Sequence, residues 1–289
     1  MKTPLVKAIA AILVFTLSAN KIYASPALNP EDTTRKTVLG LIDKKVDPVV
    51  EKEVNVKFPE ILTGNETQSL DYIEKFFTTR KNYLIRTYER SKKLFPKVIS
   101  ILKKYNVPEE FKVLLALESG FNGNAVSSAG AVGYWQIMDA VAREYGLKIA
   151  TRKKIKRSSK AADKKHIAKV ITTDDRKNFN KSTHAAARYL QDRGRNLNND
   201  CLLIAASYNC GVGNVWNAME KTGMTNPTFW DIKKFLPAET RAYVMNFITL
   251  NILFNNYEKF SKNTLCFKPL ACKEEIIEQE EADDCTSSL

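Results

Sequence analysis

The chain has 289 residues, with 45 lysines and arginines against 32 aspartates and glutamates, a formal charge of +13. Apolar residues make up 44% and charged residues 27%, ordinary globular composition that excludes a mainly disordered, collagenous or multi-span membrane chain. The two histidines, His166 and His184, have no zinc-site spacing, which argues against the commonest metalloenzymes; no metal or cofactor is expected.

Residues 1–24 read as a secretory signal peptide. Lys2 and Lys7 precede the apolar run AIAAILVFTLSA at residues 8–19, and a cleavage site can follow Ala24. The run falls short of the roughly 20 residues that span a bilayer. An uncleaved anchor is the alternative. The first cysteine is Cys201, so no lipoprotein-type anchor is expected. Export to the periplasm or cell envelope, or secretion, permits disulfides, and Cys266 with Cys272 is the expected bridge among five cysteines.

Residues 25–69 are Pro-punctuated and weakly periodic and read as an N-terminal extended or helical arm. From Leu70 the pattern is helical, with Ile73, Phe76, Phe77, Leu84 and Tyr88 at three- and four-residue spacing. Pro96 opens a second helix that ends near Tyr105, and Pro108 opens a third, FKVLLALES. Residues 119–134, rich in Gly, Ser, Ala and Asn, read as a loop or short hairpin. A short helix, DAVAREYG, follows. Ser182 is the expected N-cap of THAAARYLQDR; then come LLIAASYN, a GVGN turn, VWNAMEKTG and a long helix from AETRAYV to Phe260. No stretch alternates like a strand. The expected fold is mainly α, with one catalytic domain over residues 70–260.

Two segments depart in charge. Residues 151–172 hold nine basic residues and one acid and read as an insertion; residues 261–289 form a short Cys-containing tail in which residues 273–285 carry seven acids. Such blocks are solvated as a rule. The basic one lacks interleaved aromatics and any nucleic-acid motif, so no nucleic-acid partner is expected, and an anionic polymer or cell-envelope surface is at least as good a candidate.

Phe111, Leu114 and Glu118 fall at i, i+3 and i+7, which puts a carboxylate on an apolar stripe beside a Gly/Ser loop. Two readings are open: a helix-end glutamate frayed into water, or a desolvated carboxyl poised as a proton donor near neutral pH.

The stretch ESGFNGNAVSSAGAVGYWQIM, residues 118–138, resembles the signature of the lytic transglycosylases, a branch of the goose-type lysozyme-like superfamily (glycoside hydrolase family 23). Glu118 and Ser119 match its opening pair; Ser127, Gly130, Ala131, Gly133, Gln136 and Met138 match the following loop. ASYNCGVG, residues 206–213, resembles the family's second element through Tyr208 and Asn209. LPAETRAYV, residues 236–244, resembles the third through Glu239 and Tyr243. The blocks stand in the family's order, and STHAAARYL resembles the helix between them. Within the family, the membrane-bound lytic murein transglycosylase D type is most similar.

The resemblance implies a lysozyme-like fold and cleavage of the β-1,4 bond between N-acetylmuramic acid and N-acetylglucosamine in peptidoglycan glycan strands, leaving a 1,6-anhydro end. It implies Glu118 as acid and then base, with the substrate's N-acetyl group steadying C1. Ser119, Ser127, Gln136, Tyr208, Asn209, Glu239 and Tyr243 are the implied substrate-binding positions. Structural roles stay open for several: turn bonding for Ser127, packing for Gln136, a core position for Tyr208, a helix cap for Glu239. Asp139 and Tyr134 depart from the family's usual proline and leucine, and the short acidic tail gives no expectation of C-terminal glycan-binding repeats. A lysozyme-type hydrolase and a non-catalytic wall-binding protein are the alternatives.

Overall fold

A computed structural model describes residues 53–149 and 173–268. The signal segment, most of the arm, the basic segment and the acidic tail lie outside the described residues. The helices are α1 (Glu66–Thr79), α2 (Lys81–Ser91), α3 (Phe95–Lys104), α4 (Leu114–Ser119), α5 (Asp139–Glu144), α6 (Phe179–Asn196), α7 (Cys201–Cys210), α8 (Val212–Glu220), α9 (Phe229–Ile232) and α10 (Ala238–Ser261). The fold is mainly α, as expected. Among the described residues the only β pairing is two isolated bridges in the loop after α4, Val126 with Val132 and Val132 with Ile137.

The centre is built by α7 and α10. Residues 201–207 of α7 are all buried, so this helix is apolar around its circumference instead of along one stripe. It lies against α10, whose Val244, Phe247, Ile248, Leu250, Ile252 and Leu253 are at most 1% exposed. Polar side chains survive in this pair because their own helix satisfies them: Ser207 donates to the Ile204 carbonyl at 2.8 Å, Thr249 to that of Met245 at 2.7 Å, and Asn251 to that of Phe247 at 3.0 Å. α1, α2 and α4 pack around α10, and α6 packs on α7.

Three local expectations are corrected. The helical run from Leu70 breaks at Arg80 into α1 and α2. The N-cap of α6 is Asn178, whose side chain accepts from the Lys181 amide at 3.0 Å; Ser182 lies inside the helix, fully buried, and donates to the Asn178 carbonyl at 2.7 Å. The GVGN turn is a single residue, Gly211 at φ +83°, after which α8 begins at Val212.

The flanks of the basic segment are joined. The Asp175 amide donates to the Lys148 carbonyl at 2.8 Å, and the Lys148 amide donates back to the Asp175 carboxylate at 3.0 Å. The chain leaves and re-enters the domain at one point, which lets a long insertion sit there without prying the core apart. Cys266 is buried and disulfide-bonded; the expected partner, Cys272, lies outside the described residues. Cys201 and Cys210 are free.

Candidate active site

α4 is a single short helix entered through a 3-10 turn at Glu109–Val113, and Gly120 ends it in the left-handed region at φ +55°. Leu114, Leu115 and Ala116 anchor it in the core, so Glu118 in its last turn is held at the edge of the packed interior. The 3-10 turn means the expected stripe from Phe111 to Glu118 is not one continuous α-helical face.

Glu118 keeps part of its surface open, yet loss of water around its carboxyl is the dominant influence on it and raises the pKa to about 7. A hydrogen bond opposes this: the Tyr243 hydroxyl donates to Glu118 Oε1 at 2.5 Å and favours the carboxylate. The negative charge of Glu239 acts in the raising direction. The net result is a carboxyl that is protonated through mildly acidic conditions and still able to give its proton up.

The loop after α4 is held by its own polar groups. Ser119 donates to the Tyr134 carbonyl at 2.8 Å. Ser127 closes a tight turn, its hydroxyl accepting from the Ala131 amide at 3.0 Å while its own amide donates to the Ala131 carbonyl at 2.9 Å. Gln136, at φ +47°, donates to the Gly133 carbonyl at 2.9 Å. Trp135 is fully buried and donates to the Thr183 hydroxyl on α6 at 3.0 Å. Gly133 has two reasons to be glycine: φ is +86°, and a Cβ there would stand 2.0 Å from the Arg176 carbonyl oxygen.

Arg176 braces this loop from behind. Its guanidinium bonds both carboxylate oxygens of Asp174, at 3.0 and 2.7 Å, reaches the Ile137 carbonyl at 3.2 Å, and pairs with Asp139. Asp139, the departure from proline noted above, is therefore an ion-pair partner of a buried arginine.

The three sequence blocks meet through single hydrogen bonds. Tyr208 donates to the Trp135 carbonyl at 2.8 Å, joining the second block to the first. The Thr240 hydroxyl donates to Asn209 Oδ1 at 2.8 Å, joining the third to the second. Tyr243 to Glu118 joins the third to the first. Glu239 stands in the first turn of α10, near enough to act on Glu118.

A groove of about 190 Å³ opens beside these residues, lined by Gln136, Ile137, Met138 and Val141 on one wall and by Ala185, Ala186, Tyr189, Tyr208, Asn209, Cys210 and Gly211 on the other. Tyr208 forms part of its wall, and the charge of Glu118 acts on the Tyr208 hydroxyl. Tyr189 packs edge-on against Tyr208, ring centres 5.5 Å apart.

Residues 98–228 match the family model described as the Transglycosylase SLT domain. This stretch is similar to a transglycosylase SLT domain. It carries Glu118, Gln136 and Tyr208; Glu239 and Tyr243 follow its C-terminal limit, on α10. The chain is 30% identical over 186 residues to "Membrane-bound lytic murein transglycosylase D" of Escherichia coli strain K12, covering 64% of this chain and 36% of that protein. It is 24% identical over 137 residues to a "Putative tributyltin chloride resistance protein" of Alteromonas sp. strain M-1, covering 47% of this chain and 56% of that one. The chain thus spans about a third of the length of the transglycosylase D relative that it matches.

Among solved structures it is similar to an inactive mutant of lytic transglycosylase Slt from Pseudomonas aeruginosa, with a TM-score of 0.42 at 19% identity over 58% of this chain and 24% of that one. The 70 kDa soluble lytic transglycosylase of Escherichia coli gives the same score and identity over 69% and 31%. Among the described residues no helix is long and apolar enough to cross a membrane.

Sequence reasoning missed three contributors to this site: Thr240, Tyr189 and Arg176. Tyr189 was within reach, since it lies three residues after Ala186 on the helix that the resemblance identified. Arg176 gives no signal, because nothing in a lone arginine tells that two carboxylates fold around it.

Proposed function

We propose that the chain is a peptidoglycan lytic transglycosylase that cleaves the β-1,4 bond between N-acetylmuramic acid and N-acetylglucosamine and leaves a 1,6-anhydro end, with Glu118 as the single acid and base. The observation that carries this reading is the Glu118 carboxyl, desolvated to a pKa of about 7 and bonded by Tyr243, inside a stretch that matches the SLT domain model.

The chemistry follows from that carboxyl. As an acid, Glu118 protonates the glycosidic oxygen while the bond to C1 breaks. The developing charge at C1 is met by the substrate's own N-acetyl oxygen. Glu118, now a carboxylate steadied by the Tyr243 hydroxyl, takes the proton of the muramyl 6-hydroxyl as its oxygen closes on C1. The acid is regenerated and no water is consumed. Ordinary glycosidases need two carboxyl groups at a set separation; here the second nucleophile is part of the substrate, held by the groove at high effective concentration.

In this reading Gln136, Tyr208 and Asn209 shape the groove wall that receives the sugar, Ser119 and Ser127 hold the loop that carries Gln136, and Glu239 with Tyr243 sets the proton affinity of Glu118. The setting is the periplasm or cell envelope. A contact of the basic segment 151–172 with anionic envelope polymer belongs to the same proposal and rests on its charge; unchanged sacculus binding at low salt after its deletion would remove it.

The hydrolase alternative has one observation in its favour, the closeness of Glu239, which as a second carboxylate would have to activate water. Borohydride treatment of products from purified sacculi separates the two. Anhydro ends resist reduction and are expected; reducible muramyl ends would establish hydrolysis.

A further inference from the structure

The groove wall formed by α6 does not end at Tyr189. Ala186, Tyr189 and Arg193 stand at i, i+3 and i+7, so Arg193 continues the same helical face one turn past the last lining residue. Its guanidinium lies 4.8 Å from the centre of the Tyr189 ring, which holds it against the wall of the groove. The Arg193 guanidinium forms no ion pair or hydrogen bond among the described residues, and its Nε is buried without a partner. A guanidinium has five donors, and leaving a buried one unmade is unfavourable.

The neighbouring charges do not neutralise it. Asp192 accepts from the Tyr145 hydroxyl at 2.7 Å and pairs with Arg195 at 3.1 Å. Arg188 lies over the Tyr145 ring and donates to the Tyr145 carbonyl, adding a second positive charge to the same end. Glu144, on α5, acts electrostatically on Tyr189 without forming an ion pair with Arg193. One helical turn past the last lining residue of α6 there thus stands a stacked, unpaired cation.

We propose that Arg193 is a binding residue for a carboxylate carried by the glycan strand, so that the groove reads a charged substituent as well as the sugars. This rests on the peptidoglycan reading above. The carboxylate belongs to the substituent on the muramyl lactyl ether: a stem-peptide carboxylate on an intact strand, or the free lactyl carboxylate on a stripped one. Arginine suits either, since its planar fork meets a carboxylate with two parallel hydrogen bonds.

Binding tests this apart from turnover. The inert Glu118→Gln protein is titrated with three soluble strand preparations: peptide-bearing strands, strands stripped by amidase, and stripped strands whose lactyl carboxylates are capped with methylamine. Arg193→Ala and Arg193→Lys are measured in the same background. Expected is about tenfold tighter binding of carboxylate-bearing over capped strands, a factor that about 1.4 kcal/mol supplies, shrinking below about twofold in Arg193→Ala and partly restored in Arg193→Lys. A preference confined to peptide-bearing strands assigns the stem peptide; one shared by stripped strands assigns the lactyl group. No preference in the parent protein, or equal weakening on all three preparations in Arg193→Ala, overturns the proposal. Failure of the transglycosylase reading shows separately, as tight binding with no cleavage by the unsubstituted enzyme.

Discussion

The Tyr243 hydroxyl reaches Glu118 Oε1 across 2.5 Å and 125 positions of sequence, from the second turn of the long helix α10 to the last turn of the short α4. Tyr243 and Glu239 thus act on one carboxyl from α10 with opposite signs. The hydroxyl favours the charged form, and the neighbouring carboxylate disfavours it.

Those signs make a paired prediction. Tyr243→Phe removes a donor to the carboxylate, so the basic limb of the pH–rate profile moves to higher pH. Glu239→Gln removes a like charge, so the limb moves to lower pH. Rates of sacculus solubilisation between pH 5 and 9 check both; shifts in the same direction would contradict the assignment.

The raised Glu118 pKa also predicts how stability depends on pH. The folded carboxyl keeps its proton to about pH 7, whereas its ordinary value is 4.5. Between those values the folded chain binds more protons than the unfolded one, so this group's contribution falls as pH rises through the window. Glu118→Gln escapes the loss. It is expected to be more stable than the unsubstituted protein by about 2 kcal/mol above pH 7, a figure reduced for the partial openness of the site, with the two converging near pH 4. Urea denaturation at pH 4 and pH 8 reads the difference; a constant gap would contradict a desolvated, neutral carboxyl.

Much of this was legible in the sequence, for identifiable reasons. Pro96 sits in the first turn of α3, where its missing amide is harmless, and the long apolar run from Ala238 is α10. The start of α6 was not legible, because Asn178 and Ser182 are both good caps, and a serine inside a helix satisfies its hydroxyl by bonding the preceding turn. The break at Arg80 was hidden because apolar spacing continues on both sides of it. The three motif blocks named the candidate residues. They did not tell that Tyr243 touches the carboxyl while Tyr208 bonds the Trp135 carbonyl, because a block fixes residue type and leaves the partner to the packing of helices far apart in sequence.

Gly133→Ala combines a left-handed backbone with a Cβ 2.0 Å from the Arg176 carbonyl oxygen, an atom that the backbone cannot easily withdraw. A loss of about 3 kcal/mol or more is expected from strain and overpacking together. Chemical denaturation checks it, and a loss below about 1 kcal/mol would show that the loop and the Arg176 segment separate readily.

The ion pairs around Arg176 are unequal. Its side chain is 6% exposed and that of Asp174 is 11% exposed, whereas Asp139 is 64% exposed. Arg176→Met leaves the Asp174 carboxylate buried without its partner and should destabilise the fold by about 3–5 kcal/mol. Asp139→Ala should cost less than about 1 kcal/mol, because water screens and replaces that contact. Thermal unfolding of both variants reads the order, and a larger effect from Asp139→Ala would refute it.

The central claim is that one carboxyl, with the substrate's own hydroxyl as nucleophile, performs the cleavage. Digestion of purified sacculi in heavy-oxygen water, followed by mass spectrometry of the released muropeptides, tests it most directly, with Glu118→Gln as the control. The account predicts anhydro products that carry no heavy oxygen at the cleaved end and their absence with the variant. Heavy oxygen at muramyl C1, or full product yield from Glu118→Gln, would contradict it.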